Sequence, residues 1–349
     1  MRKMIIGIVR HPVSAVTISV LVVILTLAIT WLAAGQRLVS QWHGSTIPVS
    51  TASIATTPPM SLAGQGVAFG IKDAQNAPFW RTYRVSLDAP FHGILQVTNH
   101  QPAQSFLLTC VLDYQQVPCR YGGQPQVLNR IAMGTNEQRD IPFETPTLSQ
   151  GWHDFTLLIV PSPDDHSLNP RFRLGTDTVY AARSVLLDGG LSWGPPVITY
   201  PDVGQSSPNP ALPLDGIFVD QEAHPGQLQA WTSQGVSAGE TVHYYVHLGN
   251  KSRATYTFAL LAFLDYQQIP LDGQRGRAVF GSLAAGAQGV VPGQVMAPAA
   301  SGVHELMVLW VENPYHALEY PPDGPTRQFS KTPVRVESSL RVALAVATP

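Results

Sequence analysis

A stretch of the chain occurs twice: LLTCVLDYQQVP at 107–118 returns as ALLAFLDYQQIP at 259–270, an offset of 152. Around it, Gly151-Trp152-His153-Asp154-Phe155 parallels Gly302-Val303-His304-Glu305-Leu306, and Trp80 parallels Trp231, each at an offset of 151. Phe106 meets Phe258 at 152. Anchors in one order at a nearly constant spacing mean a duplicated domain, and a duplication constrains architecture more than any local propensity does. The copies are placed at 65–190 and 214–349, joined by a Pro/Gly-rich linker at 191–213.

Within each copy the apolar segments are short, β-branched or aromatic, and punctuated by Gly, Pro, Asn and Asp. Val242, Tyr244, Val246 and Leu248 alternate with His243, Tyr245 and His247, the period of a strand with one buried face. Phe155, Leu157 and Ile159 form one such face, and Leu306, Val308 and Trp310 correspond. Charged residues make up only 13%, while 29 Gly and 30 Pro among 349 positions favour turns over long helices. The expected fold is all-β: two tandem β-sandwiches that resemble immunoglobulin or fibronectin type III modules in architecture, without the Cys and Trp spacing of antibody domains. Each copy carries its own apolar strand faces, so the second is expected to fold alone, and the proline-rich linker to hold the pair at a restricted angle.

Ahead of the copies, Val13–Ala34 (VSAVTISVLVVILTLAITWLAA) runs without a charge for 22 residues. At 1.5 Å per residue that length crosses a hydrocarbon core of about 30 Å, which predicts a transmembrane signal-anchor helix at 13–34. Arg2, Lys3 and Arg10 precede it and only Arg37 follows closely, so residues 1–12 are expected as a short cytoplasmic tail and the bulk of the chain outside the cytoplasm, at the cell membrane. The rival is a cleaved signal peptide ending at Ala33-Ala34-Gly35, but its apolar region would normally be shorter. Residues 35–64, rich in Ser, Thr, Pro and Ala and free of apolar periodicity, read as a stalk. Four of the 21 basic side chains lie in the first 37 residues, which leaves 17 against all 23 acidic ones. That balance, with no basic cluster away from the anchor, argues against nucleic acid as a partner.

Cys110 and Cys119 flank the first LDYQQVP element and face an oxidising compartment in this topology. A four-residue hairpin loop over Asp113–Gln116 would set Cys110 opposite Cys119 and permit a disulfide; two buried free thiols are the alternative. The second copy has Ala262 and Leu271 there, so the fold does not require the bridge. The shared loops, Asp113, Tyr114, Gln115, Gln116 and Asp265, Tyr266, Gln267, Gln268, are the candidate binding residues, because a polar loop bearing an aromatic can stack on and hydrogen-bond a ligand. Against this stands a structural reading, in which Asp caps a turn and Tyr covers the sandwich end.

His153 and His304 each precede an acid, but HELMV at 304–308 carries Val where a helical zinc site needs its second His, and the segment reads as a strand. His243 and His247 share a strand face without a third ligand. The loop at 163–166 and its counterpart at 313–324 lack the ligand spacing of a calcium site. Asn250-Lys251-Ser252 is a glycosylation sequon. No catalytic, metal or cofactor motif is present, which points to a non-enzymatic, membrane-anchored extracytoplasmic binding or structural module for an envelope protein or glycan. The alternative is an anchored hydrolase of envelope polymer that uses a carboxylate pair distant in sequence.

Overall fold

The computed structural model describes residues 66–73, 82–86, 88–170, 173, 179–188, 194–205, 214–224, 229–272, 276–316 and 335–347. Leu62–Pro349 form one compact unit. The segments read as tail, anchor and stalk lie outside the described residues, and so does Trp80. Among the described residues no helix is long and apolar enough to cross a membrane.

The first repeat runs β1 (Val67–Asp73), β2 (Thr82–Val85), β3 (Pro90–Asn99), β4 (Gln104–Leu112), β5 (Gln115–Val117), β6 (Cys119–Arg120), β7 (Pro125–Gln126), β8 (Asn129–Met133), β9 (Glu137–Thr147), β10 (Gly151–Pro161) and β11 (Tyr180–Asp188). A connector strand β12 (Gly204–Gln205) follows. The second repeat runs β13 (Gly216–Asp220), β14 (Ser233–Val236), β15 (Thr241–Gly249), β16 (Tyr256–Leu264), β17 (Gln267–Ile269), β18 (Val279–Leu283), β19 (Gln288–Met296), β20 (Gly302–Glu312), β21 (Val336–Ser338) and β22 (Val342–Val346).

Each repeat is a sandwich of two sheets. One sheet has the order β1-β3-β9-β6-β7, the other β2-β11-β10-β4-β5 with β8 also on β4. The second repeat repeats the plan as β12-β19-β15-β13 and β14-β22-β20-β16-β17. In both, the short strand β2 or β14 runs parallel to the last strand while the neighbouring pairs are antiparallel.

Each sandwich closes on its own core. Phe106, Leu108 and Cys110 of β4 meet Phe155, Leu157 and Ile159 of β10 inside the first. Phe258 and Leu260 of β16 meet Leu306, Val308 and Trp310 of β20 inside the second, with Val242, Tyr244, Val246 and Leu248 of β15 across from them. Strand side chains alternate faces, so the other residues of the same strands point outward. Leu107, Val111, Leu158 and Val160 are buried there against Ala259, Leu261, Phe263, Met307, Leu309 and Val311 of the other repeat. The two sheets carrying β4, β10 and β16, β20 therefore pack on each other, and the fold is four layers deep with three apolar cores.

This corrects the expectation of two sandwiches held mainly by their linker: a shared core joins them. The connector is itself stitched to the second repeat. The Ser282 amide donates to Pro201 O at 2.8 Å and the Val203 amide to Ser282 O at 3.1 Å, and β12 pairs with β19. Asn99 and its counterpart Asn250 close equivalent turns. The Asn250 side-chain amide donates to Ala254 O, Leu283 O and Ala284 O, and its Oδ1 accepts from the Ser252 amide. The sequon asparagine is thus a buried structural cap.

Separating the repeats would expose the apolar face of β16 and β20. The fragment 214–349 is expected to self-associate, measured by size-exclusion chromatography with light scattering. A monomeric fragment that unfolds in one cooperative transition would show that the shared core contributes little to the fold.

Candidate functional site: the duplicated turns between the repeats

The duplicated DYQQ segments meet where the inner sheets pack. Cys110 pairs with Val117 and Leu112 with Gln115, so the loop is a two-residue turn, Asp113-Tyr114, rather than a four-residue one. Asp265-Tyr266 turns in the same way between Leu264 and Gln267. All four turn residues have positive φ, 50° and 63° in the first repeat and 49° and 64° in the second. Two consecutive left-handed residues match the right-handed twist of a hairpin, but the conformation normally selects Asn or Gly, and a tyrosine there is strained.

The tertiary contacts of each tyrosine hold that conformation. Tyr114 is 2% exposed and Tyr266 4%. The Tyr114 ring packs edge-on against Phe280 and Tyr315 of the other repeat. Its hydroxyl donates to the Asp154 carboxylate, and burial first and the Asp154 charge second push its pKa well above the ordinary phenol value. The Tyr266 hydroxyl donates to Pro163 O of the first repeat at 3.1 Å and accepts from Arg341 at 2.8 Å.

Gln116 and Gln268 clasp each other across the interface. The Gln116 amide donates to Gln268 Oε1 at 2.6 Å and the Gln268 amide to Gln116 Oε1 at 2.8 Å. The Gln116 side-chain amide reaches Tyr266 O at 2.7 Å, and that of Gln268 reaches Tyr114 O at 2.9 Å. These four bonds map onto one another under exchange of the repeats, the pattern of a self-complementary two-fold contact. Gln115 and Gln267 face solvent.

Two buried acids complete the interface. Arg183 forks onto Asp154 at 2.9 and 2.5 Å and donates to Glu312 O and Asn313 O of the second repeat at 2.6 and 2.9 Å. Burial works against the Arg183 charge, but Asp154 outweighs it, so the guanidinium is held more firmly protonated than usual. Glu305, the counterpart of Asp154, takes its fork from across the interface: Arg173 reaches it at 2.7 and 2.9 Å, both side chains fully buried. Sequence reasoning noticed the acids but not the arginines. Arg183 inside the largely apolar β11 and Arg341 just ahead of the apolar β22 were the available signal.

His153 and His304 serve the turns. The first contacts Asp113 Oδ2 and Ser149 O, both at 2.6 Å, and the second Asp265 Oδ2 at 2.7 Å and Ala300 O at 3.0 Å. Cys110 and Cys119 are joined by a disulfide with Cα atoms 6.2 Å apart. Because Cys119 lies in β6, the bond ties the inner sheet of the first sandwich to its outer one and is not a cross-strand link in the hairpin. Ala262 and Leu271 fill the equivalent place in the second core. His243 is exposed, whereas His247 is buried with Nε2 against Glu222 O at 2.9 Å, so the two do not share a free face. No cluster able to hold a metal occurs among the described residues.

Fold and site together define an all-β protein of two β-sandwiches fused face to face. No protein-family model matches the chain, and no curated protein matches it. Among solved structures it is similar to the CARDB domain of a Pyrococcus furiosus protein, solved with di-metal ions, at 10% identity and TM-score 0.23, over 39% of this chain and 99% of that one. It is similar to red sea bream transglutaminase at 11% identity and TM-score 0.22, over 81% of this chain and 31% of that one. It is also similar to a PapD-like domain of human CEP192 at 7% identity and TM-score 0.22, over 42% of this chain and all of that domain.

Tyr114→Phe should cost about 1–3 kcal/mol, because it leaves an Asp154 oxygen with one donor fewer in a buried site. Urea denaturation of the full chain measures this, and a neutral effect would remove the hydroxyl from the list of fold determinants. Arg173→Met strands the Glu305 charge and should cost about 3–5 kcal/mol. In that background Glu305→Gln should recover part of the loss.

Proposed function

We propose that the chain is a membrane-anchored, extracytoplasmic binding or structural module that presents a stiff double sandwich to an envelope protein or glycan. The observation that carries this reading is the use of the duplicated turns: their tyrosines and inner glutamines are consumed in joining the repeats, which makes the pair one rigid body. Surfaces for a partner are then the outer sheets and the loops at the sandwich ends. The charge-free run at 13–34 and the basic residues before it support the anchor. A disulfide in the first repeat suits an oxidising compartment. Asp154 and Glu305, the acids that follow the two histidines, are each paired with a buried arginine, which supports binding over hydrolysis by this pair.

The test joins topology to capture. A reporter active only outside the cytoplasm, fused after Pro349, is expected to be active, and the chain to need detergent for extraction. In-cell cross-linking of the full chain should then recover an envelope protein or glycan. An inactive reporter, or a mature N-terminus near Gly35, would overturn the anchor. A cross-linked partner held by Tyr114 or Tyr266 would overturn the assignment of the turns to the fold.

A further inference from the structure

Both turn histidines have oxygen acceptors against both ring nitrogens. A neutral imidazole carries one N–H and one lone pair, so it can satisfy only one such acceptor and turns its lone pair on the other; the imidazolium satisfies both. His153 faces the Asp113 carboxylate and Ser149 O at 2.6 Å each. His304 faces the Asp265 carboxylate and Ala300 O at 2.7 and 3.0 Å. The arrangement occurs in both repeats with different residues supplying the carbonyl, so the geometry and not one local accident calls for the charge.

We propose that these two Asp–His pairs form a proton-operated latch on the interface between the sandwiches: the imidazolium pins each Asp-Tyr turn in the conformation that engages the other repeat, and loss of the proton releases it. The coupling runs through the aspartates. Asp113 Oδ1 accepts from the Asp154 amide at 3.1 Å and Asp265 Oδ1 from the Glu305 amide at 2.9 Å, so each carboxylate ties the imidazole to the strand that carries the buried acid. The Tyr315 amide of the second repeat donates to Asp154 Oδ2 at 2.9 Å, on the same strand. The residue after each aspartate is the tyrosine whose carbonyl receives the glutamine of the opposite repeat.

Among the described residues the charged groups beside the rings include Asp113 at His153 and Asp265 at His304. The next strand position carries the Asp154–Arg183 pair in the first repeat and the Glu305–Arg173 pair in the second, with His166 Nδ1 3.5 Å from Glu305. Burial alone would lower the His304 pKa, but the bonds to Asp265 and to Ala300 O outweigh it and raise the value above 6.5. A raised folded-state pKa gives stability that is complete below the unfolded-state pKa and is lost as pH rises through the folded one. The latch at His304 therefore closes as pH falls below that raised pKa and opens as pH rises through it. It holds whatever the outer faces bind.

The test follows hydrogen exchange at the Gln116 and Gln268 backbone amides of the full chain from pH about 6 to about 9, as protection factors corrected for intrinsic rate, beside the nitrogen-15 spectrum of labelled histidine. Cationic signatures for His153 and His304 at the acid end are expected. Protection should fall by about tenfold for each unit by which the latched pKa exceeds the free one. His153→Gln with His304→Gln should flatten this profile, and His166→Gln should leave it unchanged. Neutral tautomers at the acid end would overturn the latch. So would protection independent of pH in the wild type, or a profile abolished by His166→Gln alone. The histidine spectrum decides the matter on the unmodified chain if the double variant fails to fold.

Discussion

The central strands of the inner sheets have no wet face. In an ordinary sandwich, each sheet packs one side against the core and gives the other to water, which is why its strands alternate apolar and polar residues. Strands β4, β10, β16 and β20 instead bury both sides, one in their own sandwich and one against the other repeat. Everything else about the joint follows from that. Strand ends and turns at such an interface also lose water, so each backbone and side-chain polar group there needs a protein partner. The clasped glutamines, the forked arginines and the doubly bonded histidines supply them.

That requirement explains why a tyrosine tolerates a left-handed turn. Tyr114 and Tyr266 would be cheaper as glycine in an isolated hairpin, yet glycine has neither a ring to fill the joint nor a hydroxyl to reach Asp154 or Pro163. Strain of this kind persists only where the surroundings over-determine it. The buried ion pairs act similarly. A forked pair in a dry site adds little net stability compared with apolar packing, but a misregistered interface would leave Asp154 or Glu305 charged and unpaired. The pairs thus fix how the sandwiches sit on each other more than how firmly they stick.

Part of this was legible in the sequence. The duplication and the strand periodicity led to two sandwiches, and the alternation in VHYYVHLG marked β15 as a strand with one dry face, with Val242, Tyr244 and Val246 in the core. The joint was also written there and went unread. FLLTCVL, FTLLIV, FALLAFL and LMVLWV are nearly continuous apolar runs, the signature of strands buried on both faces. Reading only every second residue of these runs hid Leu107, Leu158, Leu261 and Leu309, which form the third core. The hairpin register was missed because Asp-Tyr is not a customary type I′ pair; it becomes one only with a second repeat to hold the tyrosine. The arginine partners were beyond pattern reading, since Arg173 lies far in sequence from Glu305 and belongs to the other copy.

The two copies have diverged where symmetry does not bind them and stayed alike where it does. The first core carries a disulfide where the second has Ala262 and Leu271, and each choice lies in its own sandwich core rather than in the shared one. The acid at 154 draws its arginine from its own sheet and the acid at 305 from the opposite repeat, so charge compensation is met by different routes. The Asp-Tyr-Gln-Gln segments had no such freedom. Each glutamine is both donor and acceptor to its counterpart, so a change in one copy leaves a group unpaired in the other. Identity of the inner glutamines, Gln116 and Gln268, is thus what a reciprocal contact demands of a duplicated chain, and it requires no ligand to account for it.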